Sequence, residues 1–163
     1  MDITRMDHVS ITVRDVDRSI DFYRKGLGLK LLRVSVLHPS PETQFKNAYM
    51  YSDRFLLELI TAEHSATQPS PPATWQSSLR STIGITHLGV RVSNIEKAMA
   101  RLESAGARKV GGPFEISKKS SKMVYLGKGV RRSIKYARRP GRKPWRNAVF
   151  CDPDGVVIEL VER

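Results

Sequence analysis

The sequence is poor in cysteine, poor in long apolar runs and, over one stretch, devoid of acid. It has one cysteine, Cys151, so no internal disulfide can form, which fits a reducing compartment. The N-terminal residues "MDITRMDHVS" hold no apolar stretch of signal-peptide length. Nowhere does the chain approach the roughly 20 consecutive apolar residues that a bilayer-spanning helix needs. The expectation is a soluble, cytoplasmic protein with no membrane partner. From Lys118 to Arg146 there are twelve basic residues and no Asp or Glu. Much of the net charge of +12 sits there. Such a block reads as a solvated loop or an anion-attracting surface.

A chain of 163 residues makes one domain, or two small modules sharing a core. Two modules are visible as a repeat. "HVSITVRDVDRSIDFY" from His8 lines up with "HLGVRVSNIEKAMARL" from His87. Each copy opens on histidine, alternates as a half-buried strand does, then shifts to helical spacing. Val9, Ile11 and Val13 share one strand face, with His8, Ser10 and Thr12 on the other. In the second copy Leu88, Val90 and Val92 oppose His87, Gly89 and Arg91. A slip of one residue would reverse either set, so agreement in phase between the copies is informative.

Helix signals follow both strands. Asp15 is the expected N-cap of the first helix. Ser93, with Glu96 three residues on, is expected to form a capping box for the second. Gly26 or Gly28 should end the first helix and Gly106 the second. Three further strands complete each copy: "KLLRVSVL", "KNAYMY" and "RFLLELIT", then "RKVGGPFEI", "NAVFCD" and "VVIELVER". The predicted fold class is α+β, two tandem βαβββ modules whose strands form a curved mixed sheet around a metal cavity. Residues 1–62 make the first module, 63–83 a Pro/Ser/Thr-rich linker, and 84–163 the second module, with the basic insertion at about 117–146. His38 and His64 read as loop residues, Cys151 as a small buried residue, and "DPDG" as a turn before a strand.

The last strand of each module carries a carboxylate inside an apolar run, "FLLELI" at residues 55–60 and "VVIELV" at 156–161. By alternation Glu58 and Glu159 lie opposite the leucine and isoleucine faces that would pack on the helices. His8 and His87 lie on that same side. Two imidazoles and two carboxylates would therefore converge. Such a set suits a divalent cation (Zn, Ni, Co, Mn or Fe), and a shared cation removes the cost of carboxylates in an apolar setting. With no thiolate in the set, the site reads as one with positions open to substrate rather than as a closed structural zinc.

These motifs resemble the vicinal oxygen chelate superfamily, which includes glyoxalase I, methylmalonyl-CoA epimerase, fosfomycin-resistance proteins, extradiol dioxygenases and bleomycin-resistance proteins. "HVSITVRDVDRSIDFYRKGLGLKLLR" is similar to the opening of bacterial glyoxalase I, and "DPDGVVIELVE" to its closing strand. The resemblance implies a metal held by His8, Glu58, His87 and Glu159. It implies a lyase or isomerase that moves a proton next to a metal-chelated carbonyl, with Glu58 or Glu159 carrying the proton and Glu159 favoured by analogy. Glu58 points to the glyoxalase or epimerase branch, because dioxygenases and fosfomycin enzymes generally lack a first-module glutamate. Thr12 and Ala62 stand where glyoxalase I usually has an arginine and an asparagine that help hold glutathione. Thr12 and Arg91 are read as substrate-binding, with Arg91 on an anionic group.

The implied partners are a small anionic substrate and a second copy of the chain. In a homodimer the first module of one chain would meet the second of its partner; closure of both modules within one chain is the alternative. An Fe(II)-dependent extradiol-type dioxygenase and a non-catalytic ligand- or polyanion-binding member of the fold are the rival readings. Tyr125, Tyr136 and Trp145 among the basic residues suit nucleic-acid stacking, but that reading leaves the four-residue set unexplained.

Overall fold

In the computed structural model, residues 7–40, 43–53, 55–61, 84–116 and 145–162 are described. The expected linker and the greater part of the basic insertion, including His64, Tyr125 and Tyr136, lie outside them.

Period-two alternation in the sequence becomes β1 (Val9–Val13), with its valines and isoleucine turned inward and Ser10 and Thr12 exposed. Asp15 then caps α1 (Val16–Leu27), its carboxylate accepting from the Arg18 backbone N–H. Val16, Ile20 and Tyr23 form the buried stripe, and Gly28 ends the helix at φ 72°. Strands β2 (Lys30–Ser40), β3 (Thr43–Ser52) and β4 (Phe55–Thr61) complete the first module. The second repeats the order with β5 (Leu88–Val92), α2 (Ile95–Ser104), β6 (Arg108–Ile116), β7 (Trp145–Cys151) and β8 (Val157–Glu162).

The α+β architecture of two βαβββ modules is thus the one observed, as two four-stranded mixed sheets rather than one continuous sheet. Their strand orders are β1-β4-β3-β2 and β5-β8-β7-β6. In each, the module's first strand lies parallel to its last, and the remaining neighbours are antiparallel. Three details differ from expectation. Asn94, not Ser93, caps α2, accepting from the Lys97 N–H, so the cap sits one residue later than the Ser/Glu spacing suggested. His38 belongs to β2 rather than a loop. Trp145 and Arg146, at the end of the basic block, open β7.

The modules meet through their helices. Gly26 lies in the middle of the contact, where an added Cβ would come within 3.0 Å of Leu102 Cδ2 and 3.4 Å of Ala105 Cβ. The Arg101 guanidinium donates to the Lys25 carbonyl at 3.0 and 3.3 Å. One apolar core runs through both modules, from Val13, Tyr23, Leu57 and Leu59 to Ile95, Leu102, Phe150, Ile158 and Leu160. Each such fully buried side chain contributes about 1.5–3 kcal/mol.

The "DPDG" segment is a turn, and it also ties the modules together. The buried Asp154 carboxylate accepts from Arg14 at 3.0 Å, Arg18 at 2.7 Å and Ser19 at 3.3 Å, all three in the first module. Beside it, Tyr23 donates its hydroxyl to Asp152 at 2.8 Å. The other Asp152 oxygen accepts the backbone N–H groups of Asp154 and Val156, closing the turn. Burial pushes the Asp152 carboxyl above its usual range despite those donors.

Candidate metal centre

Strand register sets the site. In the first sheet Ser10 is level with Glu58, and Glu58 with Tyr49. In the second, Gly89 is level with Glu159, and Glu159 with Val149. Because side chains alternate, His8, Ser10, Tyr49 and Glu58 share the face away from the helices, while Leu57 and Leu59 point into the core. His87, Gly89, Arg91 and Glu159 share the equivalent face, with Ile158 and Leu160 beneath.

Each module brings its histidine to its glutamate. His8 Nε2 lies 3.4 Å from Glu58 Oε2, and His87 Nε2 lies 3.3 Å from Glu159 Oε2. The other ring nitrogen is engaged in both cases. His8 Nδ1 is 3.1 Å from an Asp7 oxygen, and His87 Nδ1 is 2.8 Å from Thr86 Oγ1. A proton on Nδ1, directed to Asp7 or Thr86, leaves the Nε2 lone pair facing a carboxylate oxygen. A bound cation, or a ring proton placed on Nε2 instead, makes that contact favourable.

A third group recurs that the sequence reading passed over. Asn47 Nδ2 donates to Glu58 Oε1 at 2.8 Å, and Asn147 Nδ2 donates to Glu159 Oε1 at 2.9 Å. The amide must point this way, since its oxygen would repel a carboxylate. Among the described residues, Oδ1 of both asparagines is buried without a hydrogen-bond partner. The signal was present: "NAYM" and "NAVF" stand at matching places in the third strand of each copy.

The surroundings of the two carboxylates differ. Tyr49 and Ser10 stand level with Glu58 on the two neighbouring strands. Burial alone would raise the Glu58 carboxyl; the donors Asn47, Tyr49 and Ser10, with the nearby His8, outweigh it and hold the group below its usual range. The Tyr49 phenol is raised, chiefly because it donates to Glu58. Its ring meets the His8 ring edge-on at 5.6 Å, and Arg33 Cζ sits 4.5 Å from its centroid. In the second module glycine and valine occupy the positions of Ser10 and Tyr49.

The four expected ligands are therefore brought together as two pairs, one per module. Among the described residues no three His, Cys, Asp or Glu side chains gather as a metal would require. The donor set itself fits a divalent cation: one imidazole nitrogen beside one carboxylate oxygen in each module, the remaining nitrogen and oxygen anchored by neighbours. Thr12 and Arg91 are exposed on the site faces of their sheets, each beyond its histidine and level with Ile60 and Val161 respectively, two residues past the glutamates. Cys151 is buried, and burial raises its thiol. None of the described helices is long and apolar enough to cross a membrane.

Comparison with known proteins agrees with this fold. The family model described as Glyoxalase/Bleomycin resistance protein/Dioxygenase superfamily matches residues 5–160. A probable chloroplastic lactoylglutathione lyase of Arabidopsis thaliana is 28% identical over 99% of this chain and 37% of its own length. A glyoxalase family protein from Bacillus cereus superposes with TM-score 0.70 at 19% identity, covering 99% of this chain and 95% of that one. Glyoxalase I from Zea mays gives TM-score 0.64 at 21% identity over 98% of this chain and 44% of its own. The chain spans 37 to 49% of the length of the curated relatives it matches.

Proposed function

The chain belongs to the Glyoxalase/Bleomycin resistance protein/Dioxygenase superfamily, and from that premise we propose that it is a divalent-metal-dependent, glyoxalase I-like lyase or isomerase acting on a small anionic carbonyl compound. The observation that carries this reading is the duplicated His–Glu–Asn set, in the same register on both sheets. A single carboxylate in an apolar strand has a bland explanation; two, each beside an imidazole and each braced by an asparagine, favour a shared ligand role.

A bound cation would stabilise the negative charge that develops on a substrate carbonyl oxygen during proton transfer. His8, Glu58, His87 and Glu159 would hold it. Asn47 and Asn147 keep one oxygen of each carboxylate fixed, so the second is directed toward the histidine. One glutamate then moves the proton between the carbonyl carbon and its neighbour, as general base and then acid. Glu159 suits this role because it is the less enclosed, with its side chain 18% exposed against 10% for Glu58. Arg91 pairs with the substrate's anionic group. Thr12 and Ala62, in place of glutathione-holding residues, favour an anion other than glutathione.

Two pairs per chain make a complete set if His8 and Glu58 of one subunit face His87 and Glu159 of the partner subunit, so the reading includes a homodimer. Native mass spectrometry with elemental analysis tests it. The expected species is a dimer carrying a first-row divalent metal. A metal-free monomer, after supply of zinc, nickel, cobalt, manganese and iron(II) in turn, would refute the proposal.

A further inference from the structure

The outer strand of the first sheet carries a feature that the second sheet lacks. In β2, Lys30 is level with Tyr51 and Arg33 with Tyr49, and a bulge at Leu32 separates the two pairs. Residues three apart on a regular strand point to opposite faces. The extra residue brings Lys30 and Arg33 onto one face. Tyr49 is level with Glu58, so that face is the site face. In β6 the corresponding irregularity puts Gly111 level with Val149. The second module thus has glycine where the first has Arg33.

Charge on the two site faces is unbalanced. Among the described strand residues on them, the carboxylates are Glu58 and Glu159, and the cations are Lys30, Arg33, Arg91 and Arg108. A divalent metal would offset both carboxylates and leave the cations in excess. Arg14, Arg18, Arg24, Lys25 and Lys46, elsewhere on the surface, each have a carboxylate partner. Among the described residues no acidic side chain pairs with Lys30 or Arg33, and both are exposed. Arg33 Cζ sits 4.5 Å from the centroid of the Tyr49 ring. Stacking of this kind holds the guanidinium plane and leaves N–H groups at its rim for an oxyanion.

We propose that Lys30 and Arg33 form a second anion subsite, which takes a carboxylate or phosphate at the end of the substrate far from its carbonyl. Arg33 stands two strands from Glu58, about 10 Å at the usual strand spacing, with the Tyr49 ring between them. The substrate is therefore an elongated molecule with two anionic groups, one on Arg91 and one at this edge. This inference deepens the metal-dependent reading above and rests on it.

The test is binding to the zinc-loaded full-length protein, measured by calorimetry. The probes are α-ketooctanoate, which has no far anion, α-ketosuberate, the same chain ending in a second carboxylate, and a chain of equal reach ending in phosphate. The wild type is expected to bind at least one of the two longer-charged probes about 10–100-fold tighter than α-ketooctanoate, the worth of a hydrogen bond to a charged group. The larger gain identifies the oxyanion. Lys30→Ala with Arg33→Ala should abolish the gain, leave α-ketooctanoate binding as in the wild type, and leave thermal melting unchanged because both side chains are exposed. Equal binding of all the probes by the wild type, or a gain that survives in the double variant, overturns the subsite. If α-ketooctanoate binds equally well without zinc, or no probe binds, the metal-dependent reading itself falls and this inference with it.

Discussion

In the first module Glu58 accepts from Asn47, with Ser10 and an arginine-capped Tyr49 level with it on the neighbouring strands. In the second, Glu159 accepts from Asn147 with a glycine and a valine beside it. The histidine, the glutamate and the asparagine are held in common; everything level with the glutamate has diverged. The repeat supplies two equivalent half-sites whose strand neighbours differ, serine and tyrosine beside Glu58 and glycine and valine beside Glu159. One carboxylate oxygen with few donors can leave its position at low cost.

The largest effects should fall on the two glutamates, and unequally. Glu159→Gln is expected to lower turnover of an anionic carbonyl substrate about 10²–10⁴-fold while most of the metal is retained. Glu58→Gln should cost metal affinity first. Steady-state kinetics and elemental analysis on both variants separate the two roles. Full activity in Glu159→Gln would erase the distinction.

The next effect concerns how far the modules depend on each other. Asp154→Ala leaves Arg14, Arg18 and Ser19 without their acceptor. Removing one partner of a buried ion pair costs about 3–5 kcal/mol, and the low end applies because both arginines are half exposed. Urea unfolding should show that loss as a single transition, since one core spans both modules. Two separated transitions would mean that the modules fold independently.

A smaller effect should depend on pH. Burial raises the Asp152 carboxyl in the folded state, so folding weakens as pH rises from the unfolded value, about 3.9, through the folded one. Tyr23→Phe removes a donor to the ionised form and raises that group further. The penalty should be about 1.5–3 kcal/mol at neutral pH and should shrink in acid, where both states are protonated. A penalty independent of pH would show that Tyr23 acts by packing alone.

Much of this was legible in the chain. Alternation with a period of two has only two phases, so His8, Glu58, His87 and Glu159 could be put on one side of their strands, and repetition fixed the phase. What alternation does not contain is which residues stand side by side on neighbouring strands. Tyr49 and Ser10 stand level with Glu58 through a cross-strand register that no single strand's pattern states. For the same reason nothing in the strand pattern singled out Asn47 and Asn147. The tie from Asp154 to Arg14 and Arg18 crosses more than 130 residues, and a turn motif announces no distant partner. The α2 cap went to Asn94 because either residue can cap a helix, and the sequence leaves the choice between adjacent candidates to backbone geometry. The linker and the greater part of the basic insertion, from which an anionic substrate was also argued, fall outside the described residues.

The central claim is that the two His–Glu pairs serve one cation rather than two. Bound metal should be quantified in three forms of the intact protein: the wild type, His8→Ala with Glu58→Gln, and His87→Ala with Glu159→Gln. One shared cation predicts that each double variant loses nearly all the metal the wild type holds. If each double variant instead keeps about half, the pairs bind separately, and the joint site does not exist.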